Sequence, residues 1–283
     1  MKKLTLTGTL QGKINRLPKG VSQLHYLGIN PNNFSSKLFV AVVGTRKPTP
    51  YGIDTTERIV TDLVREGAVI VSGLAFGVDI TAHKAALKAG GQTIAVLPSG
   101  VNNIYPATHR NIAKQITESG CLISEYPASH HPRKVEFLER NRIIATLSDA
   151  VIVPEAAERS GSLNTTGHAN KMDIPVFAVP GRSIDLMSAG TNHLIKTGEG
   201  RLVTSAQDIL KSLNIKPAKT KKVPKGNDTH ETAVLVALQS GINDTTLLQS
   251  ELRMNTAKLQ TVLTMLEING QAAQNALGQW HIT

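Results

Sequence analysis

Residues 133–146, RKVEFLERNRIIAT, set Arg133, Lys134, Arg140 and Arg142 around a single aromatic ring, Phe137. On a helix, Lys134, Phe137 and Asn141 fall at i, i+3 and i+7 and share one face. A cation beside an accessible ring suits an unpaired nucleic-acid strand. The cation neutralises phosphate, and the ring gives a base a face to stack on. The same pattern also describes an amphipathic helix with a solvated basic side and Phe137 in the core. The neighbouring motifs decide between the two.

Three further segments carry anion-friendly chemistry. GTRKPTPYG (44–52) is a glycine-bearing turn, Gly44-Thr45-Arg46, leading into a helix, where free N–H groups and the helix dipole favour an anion. It lacks the second and third glycines of a dinucleotide fingerprint, and Arg46 puts a bulky cation there instead. An extended phosphate backbone fits that cation better than an enclosed cofactor does; the plain alternative is an arginine that caps a carbonyl or pairs with Glu57. Gly73, in SGLAFGVDITAH (72–83), lets backbone approach closely. Gly100 and Asn103, in PSGVNNIYP (98–106), are expected to shape the floor of the same edge, with Tyr105-Pro106 fixing a turn. Ser160-Gly161-Ser162, beside Arg159, opens a helix as a phosphate nest, with Ser160 as its N-cap.

Catalytic machinery does not emerge. Asp79 and His83 at i, i+4 could hold a metal or form an acid–base pair, but two ligands do not make a site, and a helix-stabilising Asp–His pair is the preferred reading. HExxH, GxSxG and the P-loop are missing. No catalytic residue, metal or cofactor is therefore expected. The single cysteine, Cys121, lies in an apolar run and reads as a buried strand thiol, so no disulfide framework is possible. No stretch has the length of a membrane span, and the N-terminus lacks a signal-peptide apolar core, so a cytoplasmic protein is expected.

The elements that must position these motifs follow from apolar runs. LFVAVVG (38–44), AVIVSG (68–73), QTIAVLPSG (92–100), CLISEY (121–126), DAVIVPEA (149–156) and IPVFAVPG (174–181) are unalternating and β-branched, as strands buried on both faces are. Helical segments such as 51–66, 78–89 and 108–119 lie between them. This rhythm predicts an α/β fold: a Rossmann-like, doubly wound, mostly parallel sheet over 38–212. Ligands in such sheets bind beyond the carboxyl ends of the strands, where the motifs above sit. Residues 1–37 read as a short basic arm, 213–228 as a Lys-rich linker, and 229–283 as a small winged-helix-like domain of three helices and a hairpin.

Net charge is +10 and the chain has 283 residues, 40% hydrophobic, so a sizeable core and a polyanionic partner are both expected. The excess lies in the arm and the linker. The sheet region is nearly balanced, so an anion site there must be local. Residues 227–283 carry two basic and five acidic residues, which argues against the last domain as the main DNA surface.

In unbroken order from about 38 to 210, GTRKPTPYG, SGLAFGVDITAH, GVNNIYP, FLERNRII, EAAERSGSL, AVPG and GTNHLIKTG resemble the DNA processing protein A (DprA, or Smf) family. The resemblance implies a single-stranded DNA-binding protein of natural transformation and recombination. It would protect incoming single strands, load the recombinase RecA and form a homodimer. It also implies that Arg46 grips phosphate and that Lys134 and Phe137 match a K-x-x-F spacing contacting backbone and base. Arg140, Asn141 and Arg142 match an RNR motif, and Ser160, Gly161 and Ser162 an SGS turn. The polar GHANKMDI and the GEGRLV segment depart from the family pattern.

Two other functions compete. A nucleotide-binding or nucleotide-hydrolysing Rossmann-like enzyme could use the same edges, but ERSGSLNTT lacks the double glycine and Glu of the related hydrolase motif. A duplex-reading transcription factor would use the last domain, whose recognition helix offers only Arg253 before it and Lys258 within it.

Overall fold

The computed structural model of the chain describes residues 2–5, 7–17, 21, 23–215, 225–239, 241–275 and 278–282. The chain divides into two units, Met1–Lys216 and Pro217–Thr283. Strands of the first are β1 (Lys2–Leu4), β2 (Leu24–Gly28), β3 (Phe39–Val42), β4 (Val69–Ser72), β5 (Thr93–Leu97), β6 (Cys121–Ser124), β7 (Ala150–Val153), β8 (Val176–Ala178) and β9 (Arg201–Leu202). Its helices are α1 (Gly8–Ile14), α2 (Pro50–Arg65), α3 (Val78–Lys88), α4 (Arg110–Ser119), α5 (Glu136–Leu147), α6 (Ser162–Asn170), α7 (Ala189–Thr197) and α8 (Ala206–Ser212). They form one sheet in the order β1-β2-β6-β5-β4-β3-β7-β8-β9. From β6 to β9 every pairing is parallel, and β1 and β2 add an antiparallel edge.

Strands β3 to β8 are buried on both sides, which is why they read as continuous apolar runs. Phe39 and Ala41 of β3 enter one core together with Ile143 and Ile144 of α5, while Val40 and Val42 enter the other with Ile59 and Leu63 of α2. Burial pushes the Cys121 thiol well above its usual range, so it stays protonated inside β6.

The chain runs outward from β3 through β4 and β5 to β6. It then crosses back along α5 and lays β7 on the other flank of β3. The direction of winding thus reverses at β3, and the loops after β3 and β7 part there. A crevice beyond the carboxyl ends of the strands is expected at such a switch point.

The segment read as a basic arm is not detached. It supplies β1, α1 and β2, and β2 pairs with β6 through Tyr26 opposite Ile123. Lys13 is buried, donates to Asp149 Oδ2 at 2.8 Å and lies 4.4 Å from the Phe39 ring centroid. A lysine counted toward a polyanion surface is therefore a core tether between α1 and the start of β7. The sequence signal was weak because β2, LHYLG, lacks the continuous β-branched run of the parallel strands and pairs against a distant partner.

Most of the Lys-rich stretch, residues 216–224, lies outside the described residues. In the second unit, α9 (Thr229–Gln239), α10 (Thr245–Leu252) and α11 (Thr256–Ile268) precede an antiparallel hairpin of β10 (Ala272–Gln274) and β11 (Trp280–Ile282). Asp244 and Asn255 cap α10 and α11 through their side chains. Leu235, Leu248, Leu259, Leu263 and Trp280 share its core. This is the element order expected of a winged helix.

Candidate nucleic-acid interface

The crevice at the switch point is a cavity of about 430 Å³. The loop after β3 brings Gly44, Thr45, Arg46 and Lys47 to it. The start of α5 brings Phe137, Arg140 and Asn141, and the turn before α6 brings Arg159, Ser160, Gly161 and Ser162. Arg46, Lys47 and Arg159 are exposed on its rim, and Phe137 is half-buried. The Arg46 guanidinium carbon lies 5.6 Å from the Phe137 ring centroid. That is cation–π distance, and it leaves both groups in reach of solvent.

The loop after β3 is held rigidly. Thr45 N–H donates to the Glu155 carbonyl at 2.8 Å, and the buried Glu155 carboxylate accepts from the Thr49 N–H at 2.8 Å and its hydroxyl at 2.7 Å. Thr49 caps α2 in turn. Arg46 therefore projects from a fixed turn at the mouth of the crevice. Its pairing with Glu57, considered from sequence, does not form among the described ion pairs.

The glycines act on this packing. A Cβ on Gly44 would meet the Glu155 carbonyl and Val78 Cγ2 at 2.6 Å, and one on Gly73 would meet Arg140 Nη1 at 2.5 Å. Both positions admit protein rather than phosphate. Gly161 differs: its nearest neighbour would be Leu138 Cδ2 at 3.9 Å, so it opens on space. Gly161, not Ser160, immediately precedes α6, and the Ser160 and Ser162 hydroxyls share a hydrogen bond of 2.7 Å.

Several predicted contacts point elsewhere. α5 begins at Glu136, so Lys134 lies in the turn before it rather than on a helical face with Phe137 and Asn141. Lys134 is exposed but lines no described cavity. The turn is fastened by Glu136, which accepts from the Arg133 N–H at 2.7 Å and Arg133 Nε at 2.8 Å and meets His130 Nε2 at 2.9 Å. Burial pushes the Glu136 carboxyl up, but these three hydrogen bonds together hold it down to about 2.

Arg140 is a buried cation, not a surface one. Its Nη1 donates to the Gly73 carbonyl at 2.7 Å and to the Val96 carbonyl, tying the ends of β4 and β5 to α5. Burial lowers its pKa to about 10, with the Asp79 charge opposing the fall. Asp79 accepts from the Gly73 N–H at 3.1 Å, and burial raises its pKa against the pull of Arg140. Asn141 is also buried and donates to the Gly161 carbonyl at 3.2 Å, setting the α6 turn against α5. Arg142 turns away to a separate depression and grips Glu125 Oε1 at 2.6 Å. Gly100 and Asn103 both bond the His130 carbonyl, at 3.0 Å each, and so fix a loop rather than a floor. His83 is fully buried with Nδ1 2.7 Å from Thr93 Oγ1, and burial lowers it to about 3. It forms no metal pair with Asp79, and no cluster of three metal-ligating side chains occurs among the described residues.

Sequence reasoning missed two rings. Phe76 and Tyr105 are half-exposed beside Phe137, on the loops after β4 and β5. The available signal was an aromatic residue in each loop past a strand end, in LAFG and NIYP.

Residues 12–214 match the family model for DNA recombination-mediator protein A. The chain is 46% identical over 171 residues to DNA processing protein DprA of Streptococcus pneumoniae, covering 60% of each. It is 41% identical over 204 residues to Protein Smf of Synechocystis, covering 71% of this chain and 51% of the relative. The chain thus spans about half to three-fifths of the length of these curated relatives. It also superposes with a TM-score of 0.68 and 34% identity on DNA processing protein A from Helicobacter pylori, whose structure gives insight into a unique single-stranded DNA binding mode. That match covers 75% of this chain and 95% of the other. No described helix is long and apolar enough to cross a membrane.

Proposed function

The chain belongs to the DNA recombination-mediator protein A family, and from that premise we propose that it binds single-stranded DNA at the switch-point crevice. The observation that carries this is the pairing of an exposed Arg46 with a half-buried Phe137 at one cavity mouth. Phosphate meets Arg46, Lys47 and Arg159. A further phosphate rests at the Ser160-Gly161-Ser162 turn, and a base stacks on Phe137 in exchange for, or sandwiched with, the guanidinium. Lys134 adds an exposed charge outside the crevice. Arg140 and Asn141 position these groups without touching DNA.

Such a site reads no base edges, so it tolerates any sequence and depends steeply on salt. It acts by holding a strand, not by catalysis. On the strength of family membership we further propose that the protein protects incoming single strands in transformation, hands them to the recombinase RecA and works as a homodimer. A cytoplasmic location follows from that role. The last domain, acidic over residues 227–283, serves protein contacts rather than DNA.

Equilibrium binding of equal-length single- and double-stranded oligonucleotides across a salt series tests this. Single strands are expected to bind more tightly, with affinity falling linearly in log–log form. Equal binding of duplex, or saturable tight binding of a mononucleotide with release of free base, would overturn it in favour of a duplex reader or a nucleotide enzyme.

A further inference from the structure

A second, smaller cavity of about 150 Å³ adjoins the crevice. Phe76, Tyr105 and Phe137 line it together with Arg46 and Arg140. It is well below the roughly 300 Å³ of a drug-sized pocket and matches the scale of one planar heterocycle. Tyr105 and Phe137 meet edge to face, with centroids 5.4 Å apart and planes at 76°. Phe76 meets the buried His109 in the same way, at 4.8 Å and 70°, and His109 Nδ1 is 2.9 Å from the Leu74 carbonyl. Phe76 and Tyr105 are 50% and 51% exposed, yet each ring is braced by a neighbour. Half-exposed aromatics with fixed orientation have already lost their rotamer freedom, which lowers the cost of stacking.

We propose that this pocket is a second base station. Phe137 stands between two compartments: Arg46 approaches its face at the crevice, and Tyr105 meets it from the smaller cavity. One base stacks at Phe137 in the crevice, and the base of an adjacent nucleotide enters between Phe76 and Tyr105. Arg46 lines both cavities and serves the phosphate that links the two. The ligand class is a strand of at least two unpaired nucleotides, which separates this site from a mononucleotide pocket. The inference rests on the crevice being the single-strand site.

The test is binding of an oligodeoxythymidylate to the full chain and to Phe76→Ala, Tyr105→Ala, Tyr105→Leu and Tyr105→Phe, each across a salt series. Loss of one stacked base weakens binding roughly 5- to 150-fold. Phe76→Ala, Tyr105→Ala and Tyr105→Leu are expected to fall in that range with the parent's salt slope, because no phosphate contact is lost. Tyr105→Phe is expected to bind like the parent, and Tyr105→Leu keeps the volume should Tyr105→Ala misfold. Parent-like binding by Phe76→Ala and Tyr105→Leu would overturn the second station, as would a weakened variant with a shallower slope. Failure of the crevice reading looks different: there the parent itself would not prefer single strands, or Arg46→Ala would bind unchanged.

Discussion

Arg46 lies 5.6 Å over the ring of Phe137, although one leaves the sheet after β3 and the other opens the crossover helix α5. The winding reversal at β3 brings them together. It puts charge and stacking surface at one point, which an unpaired strand requires and a duplex does not.

Arg46→Ala should weaken single-strand binding and reduce the log–log salt slope by about one. Arg46→Lys should recover the slope but not all the affinity, since an ammonium neither stacks as a plane nor forks onto phosphate. Phe137→Ala should cost about 1–3 kcal/mol with the slope unchanged. Filter binding at several salt concentrations separates these outcomes.

Arg140→Ala should act on stability. It strands two carbonyls and the buried Asp79, a loss of about 3–5 kcal/mol by analogy with broken buried ion pairs. Urea unfolding measures it. A stable Arg140→Ala protein that has lost only DNA affinity would mean that the guanidinium belongs to the binding surface after all.

Gly161→Ala isolates the phosphate nest. The added methyl meets nothing closer than Leu138 Cδ2 at 3.9 Å, and the backbone there is helical, so the melting temperature should hold. Affinity should fall, because the methyl occupies the approach to the turn's N–H groups. Gly73→Ala should do the reverse and destabilise the fold by displacing Arg140.

Glu136 predicts a pH window. Its carboxyl is held at about 2 in the folded chain, below its ordinary value of 4.5. The stability it contributes is therefore complete above about pH 4.5 and is lost as pH falls from there through about 2. Glu136→Gln should be less stable than the parent at neutral pH, and the gap should close on acidification. Urea midpoints followed against pH give both curves.

The parallel strands were legible because burial on both faces leaves no alternation to misread, and their ends located the crevice. Arg46 was legible as the charge in the turn after β3, and Phe137 as the single ring in the basic stretch 133–146, although Lys134 does not share its helical face. Side-chain direction along α5 was not. Arg140, Asn141 and Arg142 are consecutive, and a helix turns each about 100° from the last. One therefore enters the sheet edge, one meets α6 and one reaches Glu125. A basic motif reads as a surface until that rotation is fixed by the core. Lys13 misled similarly, since it is buried against a partner, Asp149, far away in the sequence. Phe76 carries no signal of its own and Tyr105 reads only as a turn residue, because single aromatics in loops carry no period.

Photocrosslinking tests the central claim most directly. An oligonucleotide carrying 5-iododeoxyuridine is irradiated with the full chain, and the crosslinked peptide is mapped. The adduct should fall on Phe137 and should fade in Arg46→Ala at the same protein concentration. Crosslinks confined to α11 or the β10–β11 hairpin, with none at Phe137, would contradict it.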